Sequence, residues 1–108
     1  MTRPKWNHGA PMKASECKTM ADVRAEIDRV DAVLVALLAE RATYIDRASK
    51  LKPALGLPAR IEDRVEDVVA KVRASATAHG LDPALAEALW RRLIDWSIAR
   101  EEKVIGKD

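Results

Sequence analysis

Apolar side chains recur at three- and four-residue steps from Val23 through Ile27, Val30, Leu34, Leu37, Leu38, Ile45 and Ala48 to Leu51, and no glycine or proline interrupts before Pro53. A helix turning about 100° per residue lines such positions along one face, so a first helix is predicted over residues 20 to 52. Pro53, Gly56 and Pro58 then mark a connection. The period restarts with Ile61, Val65, Val68, Val69, Val72 and Ala76 and stops at His79-Gly80, where Gly80 suits the left-handed residue that closes a helix. Asp82-Pro83 is a start signal, a capping carboxylate followed by proline in the first turn. The third helix carries Leu85, Leu89, Leu93 and Trp96 on one side and Ala86, Trp90, Ile94, Ser97 and Glu101 on a neighbouring one. No segment makes a convincing strand, so the expected fold is all-α with three helices.

The length of the first helix carries its own consequence. At 1.5 Å per residue it would reach about 48 Å, whereas a compact domain of this size has a radius of gyration of about 13 Å. Two shorter helices from the same chain cannot cover so long a stripe. The excess asks for a partner, most simply a second copy, and an intertwined helical homodimer is expected. Residues 1–18, with Pro4, Gly9 and Pro11 among polar neighbours, read as an N-terminal tail that is flexible or draped on the surface. Residues 19–104 form the helical domain, and 105–108 a C-terminal tail.

With 108 residues, 48% of them hydrophobic and 33% charged, the chain can build one modest core and is not disordered. The net charge of +2 comes from bases interleaved with acids. That distribution gives nucleic acid no continuous basic footprint. Cys17 is the single cysteine, so no internal disulfide forms and a reducing compartment fits. The first residues lack an apolar leader core. The longest apolar run, Ala32 to Ala39, falls well short of the roughly 20 residues of a membrane span. A cytoplasmic protein without membrane contact is expected. There is no Cys/His cluster or HExxH, glycine is too scarce for a phosphate loop, and no nucleophile motif appears, so neither a metal nor a cofactor is expected.

Six polar residues lie on or beside the apolar stripes: Arg24, Arg41, Lys52, Arg64, Ser97 and Glu101. Singly, each reads as a side chain whose stem covers apolar surface while its head stays wet, or as half of a surface ion pair. Their spacing says more. Arg41 and Lys52 are eleven residues apart, three turns plus roughly 20°, so both project from the stripe of Leu34, Leu38, Ile45 and Ala48. Arg24 lies roughly 25 Å before Arg41 and about 100° round the helix, so one copy cannot aim both at one small ligand. In an antiparallel dimer Arg24 of one chain approaches Arg41 and Lys52 of the other. Ser97 and Glu101, one turn apart, offer an opposite wall. Cations converging in an apolar cavity suit a small dicarboxylate, since arginine binds carboxylates with two prongs and lysine supplies a point charge. A pocket of cations with one acid acts by binding alone or by positioning and electrostatics.

The run Arg24-Ala25-Glu26-Ile27-Asp28-Arg29-Val30-Asp31, then Leu37-Leu38-Ala39-Glu40-Arg41 and Lys52, then Pro58-Ala59-Arg60-Ile61-Glu62-Asp63-Arg64, and finally Ile94-Asp95-Trp96-Ser97-Ile98-Ala99-Arg100-Glu101 resembles the all-helical class of chorismate mutase. The likeness spans residues 20 to 102. It implies an intertwined three-helix homodimer with two shared active sites and the Claisen rearrangement of chorismate to prephenate in the route to phenylalanine and tyrosine. In that pattern Arg24 from one subunit and Arg41 from the other would hold the substrate carboxylates. Lys52 would contact a carboxylate and the ether oxygen, and Arg64 and Ser97 would complete the polar wall.

Departures from the pattern sharpen the expectation. The family commonly carries a glutamine, donating to the ether oxygen, where this chain has Glu101. A carboxylate cannot donate, so Glu101 would act protonated and activity would fall as rising pH removes its proton. Ile61 and Val65 stand where typical members place acidic residues near the ring hydroxyl. The family also contains isochorismate pyruvate lyases, which this chain resembles in Ser15-Glu16-Cys17 ahead of Met20-Ala21-Asp22-Val23-Arg24, in Arg64-Val65 and in Trp96. Ser97 favours the mutase, because those lyases carry a bulkier residue there. A reading of another kind is a non-catalytic helical dimerisation module. Turnover of chorismate or isochorismate separates all three.

Overall fold

The computed structural model describes residues 11–106. Its elements are α1 (Met20–Leu51), α2 (Glu62–Ala78) and α3 (Pro83–Ile105), with short 3-10 turns at Ala14–Glu16 and Pro53–Leu55. Among the described residues there is no strand, and no helix is long and apolar enough to cross a membrane. The chain divides into two compact units, Met1–Arg41 and Ala42–Asp108, with the boundary inside α1.

In the first unit, α1 begins at a reciprocal cap. The Thr19 hydroxyl accepts from Asp22 N at 3.0 Å while the Asp22 carboxylate accepts from Thr19 N at 3.3 Å and Lys18 N at 3.0 Å. This arrangement satisfies donors that a helix start leaves open. The Thr19-x-x-Asp22 spacing was available in the sequence as a cap signal. Of the expected N-terminal tail, residues 1–10 lie outside the described residues. Residues 11–18 are tied down: Met12 N donates to Glu26 at 3.2 Å and Lys13 N to Glu16 at 2.7 Å around the 3-10 turn. Along α1 every residue from 31 to 40 is exposed, including Leu34, Leu37 and Leu38.

The second unit owns the core. After α1 the chain turns at Gly56, whose φ of 70° is the left-handed conformation that a side chain disfavours. α2 closes with a Schellman arrangement: Leu81 N donates to Ala76 O at 2.8 Å and Gly80 N to Thr77 O at 3.2 Å, with Gly80 at φ 76°. Two residues on, the Asp82 carboxylate accepts from Ala84 N at 2.9 Å and Pro83 occupies the first turn of α3. This short connection lays α3 against α2. Ala59, Val65, Val69, Ile94 and Ile98 form the shared cluster, flanked by Val68 and Ile105. Each such valine or isoleucine taken from water stabilises the fold by about 2 kcal/mol. α3 continues to Ile105, one residue into the expected C-terminal tail, and Gly106 caps it; residues 107–108 lie outside the described part.

The core is small for the apolar content. Seven hydrophobic residues are buried, whereas eighteen large ones are exposed among the described residues. The exposed ones concentrate on α1 and on the α3 side bearing Leu85, Leu89 and Trp96.

Candidate functional site

Lys52 stands immediately beyond the last residue of α1, and its backbone N still donates to Ala48 O at 2.9 Å. Its ammonium donates to Ala59 O at 2.9 Å and lies 2.7 Å from Glu101 Oε1 on α3. Both heads are withdrawn from water, with side chains 17% and 5% exposed. At that distance the ammonium and the carboxylate form a close ion pair between the end of α1 and α3. Removing two charges from water costs several kcal/mol per ion. A buried pair is therefore a weak source of stability, and its position suits binding or chemistry better.

Ser97 sits one turn before Glu101 and is 3% exposed. Its hydroxyl donates to Leu93 O at 2.8 Å, the back-bond to the preceding turn open to a serine inside a helix. The second unit thus brings Lys52 and Glu101 into contact and buries Ser97 on the same α3 face.

The other expected residues are placed differently. Arg64, in the first turn of α2, is 64% exposed and pairs with Asp67 at 2.7 Å, which Lys71 also holds at 3.0 Å. It takes no part in the Lys52 to Glu101 contact. Arg24 is exposed and Arg41 half-buried, both on the α1 stretch that belongs to the first unit. Val65 faces the α2–α3 core rather than a polar site, and Ile61 is the extended residue that leads into α2. An apolar group at position 65 is therefore explained by packing.

Cys17 helps line a cavity of about 350 Å³ in the first unit together with Met12, Val23, Ile27 and Val30. None of the six expected site residues lines it. Partial burial, then the carboxylates of Asp22, Glu26 and Glu16, push the thiol's pKa up. It is held as the weakly nucleophilic thiol.

One pairing escaped the sequence reading. Arg100 reaches Asp46 with two prongs, Nε to Oδ1 at 2.6 Å and Nη2 to Oδ2 at 3.0 Å. The two residues are 54 apart in the chain, and no helical spacing links them.

Comparison with known proteins decides the family. The profile described as chorismate mutase type II matches residues 23–102. The chain belongs to that family. Among chorismate mutase type II relatives, the chain is 35% identical over 94 residues to the isochorismate pyruvate lyase of Pseudomonas aeruginosa, an alignment covering 85% of this chain and 91% of the relative. It is 34% identical over 79 residues to the T-protein of Enterobacter agglomerans, covering 73% of this chain but 21% of that protein. It is 23% identical over 86 residues to the chorismate mutase of Methanocaldococcus jannaschii, covering 80% of this chain and 87% of the relative.

Proposed function

We propose that this chorismate mutase type II protein catalyses the Claisen rearrangement of chorismate to prephenate, as a cytoplasmic homodimer with two sites built from both protomers. The observation that carries the reading is the buried Lys52 and Glu101 contact beside Ser97. The reaction moves one C–O bond to one C–C bond within a single molecule. No covalent enzyme intermediate is required, and the protein's work is to select a compact conformer and stabilise charge on the breaking ether oxygen.

Lys52 meets a substrate carboxylate and the ether oxygen, while Glu101, when protonated, donates to that oxygen in place of an amide. Arg24 of one protomer and Arg41 of the other hold the carboxylates, with Arg64 turning inward from its exposed pairing with Asp67. The uncovered α1 residues support the dimer: an apolar stripe of this extent in water favours association, and a second copy presents the same stripe.

A second reading follows from the 35% identity to a protein named isochorismate pyruvate lyase. The small Ser97 favours the mutase. Incubation with chorismate and, separately, isochorismate decides: prephenate from chorismate supports the mutase, salicylate plus pyruvate from isochorismate supports the lyase, and neither product leaves a helical dimerisation module.

A further inference from the structure

Two ion pairs join the end of α1 to the end of α3, and they use consecutive residues of α3. Glu101 holds Lys52, and Arg100 holds Asp46. Asp46 and Lys52 are six residues apart, so the attachments are spaced about 9 Å along the α1 axis. Their polarity is crossed: α1 offers an acid and then a base, α3 a base and then an acid. One contact between two helices leaves them free to pivot about it. A second contact, anchored six residues away on the α1 side and on the adjacent residue of α3, restricts that freedom, and a planar two-pronged fork tolerates little rotation of its own.

Both members of the outer pair are steadied. The Arg100 guanidinium lies 5.3 Å from the centroid of the Trp96 ring. The backbone carbonyl of Asp46 accepts from the Ser49 hydroxyl at 2.6 Å, and Ser49 is 2% exposed. The Arg100 hydrogen bond, and then its charge, hold the Asp46 carboxyl below the usual range, so the pair is ionised at neutral pH. Both side chains are about half exposed. Pairs in such a setting add little to stability, so what this one supplies is geometry.

We propose that Asp46 and Arg100 are positioning residues that fix the register of α1 on α3 and thereby set where the Lys52 ammonium stands relative to Glu101 and to a bound anion. The proposal rests on the reading of Lys52 and Glu101 as substrate-binding groups, and its test separates the two ideas. The variants are Asp46→Asn, which keeps shape and removes charge, and the double exchange Asp46→Arg with Arg100→Asp. Each is assayed for kcat and KM with chorismate and isochorismate, for the ¹⁵N resonance of the Lys52 ammonium, and for helix content by circular dichroism.

Asp46→Asn is expected to lower kcat about tenfold, with KM changed less than about twofold, and to speed solvent exchange at the Lys52 ammonium while helix content holds. The double exchange is expected to recover both. Unchanged kcat and an unchanged Lys52 resonance in Asp46→Asn would overturn the proposal, as would a loss that a folded double exchange does not recover. If the double exchange does not fold, the Lys52 resonance in Asp46→Asn decides. If the wild-type protein converts neither substrate, the functional reading falls, and that same resonance still judges the brace.

Discussion

The α2–α3 pair and the α1 stretch of the first unit are built from similar residues and reach opposite outcomes. Val69 and Ile94, on facing helices, are 4% and 6% exposed, because a four-residue connection brings their stripes together. Leu34 and Leu38, on an equally regular stripe, are 51% and 43% exposed. A helical period states which residues want cover; it does not state what supplies it. Where the cover is local the chain finishes its own core, and where it is not the stripe stays exposed.

The contrast can be broken most severely at the stripe. Leu34→Asp with Leu38→Asp places two carboxylates where a second copy is proposed to sit. It should convert a dimer to monomer by light scattering at micromolar concentration and abolish turnover, while α2 and α3 remain helical. A variant that stays dimeric and active would remove the stripe from the interface.

The next largest effect belongs to the buried pair. Lys52→Met should cost about a thousandfold in kcat/KM, the magnitude of losing a charged donor to a developing oxyanion. It should also destabilise the fold by about 3 kcal/mol, since Glu101 is left as an uncompensated buried charge. Adding Glu101→Gln to Lys52→Met should restore the stability without the activity; a melt that does not recover would show that the charge is not the cause.

Ile94→Ala sharpens the other half of the comparison. It empties part of the α2–α3 cluster and should cost about 3 kcal/mol in denaturant unfolding, with the association state unchanged. A gentler intervention is Glu101→Gln alone. An amide donates without needing a proton, so if position 101 donates to the ether oxygen the variant should keep or raise kcat/KM. A large loss of activity in the variant would reject that role.

The smallest effect is expected on the outside of the α2–α3 pair. Hydrogen bonds from Arg91 hold the carboxyls of Glu66 and Glu87 below their usual range, and those from Lys71 and Arg64 do the same for Asp67. A depressed carboxyl contributes stability that is present above its ordinary pKa of about 4 and is lost as pH falls through the lower folded value. The melting temperature should therefore be level between neutral pH and about 5 and decline below about 4. Raised salt should flatten the decline, because these pairs are exposed. A melting temperature that holds to pH 2 would deny these pairs any part in stability.

What the sequence determined by itself was everything that rests on local order: three helices, the Gly80 terminus, the Asp82-Pro83 start, and the six polar residues that break apolar stripes. These are legible because caps and helical faces depend on neighbours within four residues. Tertiary structure decided the rest. Lys52 and Glu101 are 49 positions apart, and their 2.7 Å contact exists because α3 returns along the end of α1. Arg100 finds Asp46 by the same route. Arg64 shared the pattern of the other candidates, yet its i,i+3 neighbour Asp67 claims it at the surface, and Val65 is apolar because its side chain meets Ile94 and Ile98 in the core cluster. Periodicity records the direction in which a side chain leaves its helix, whereas its partner is set by the path of the chain between helices, which no spacing encodes.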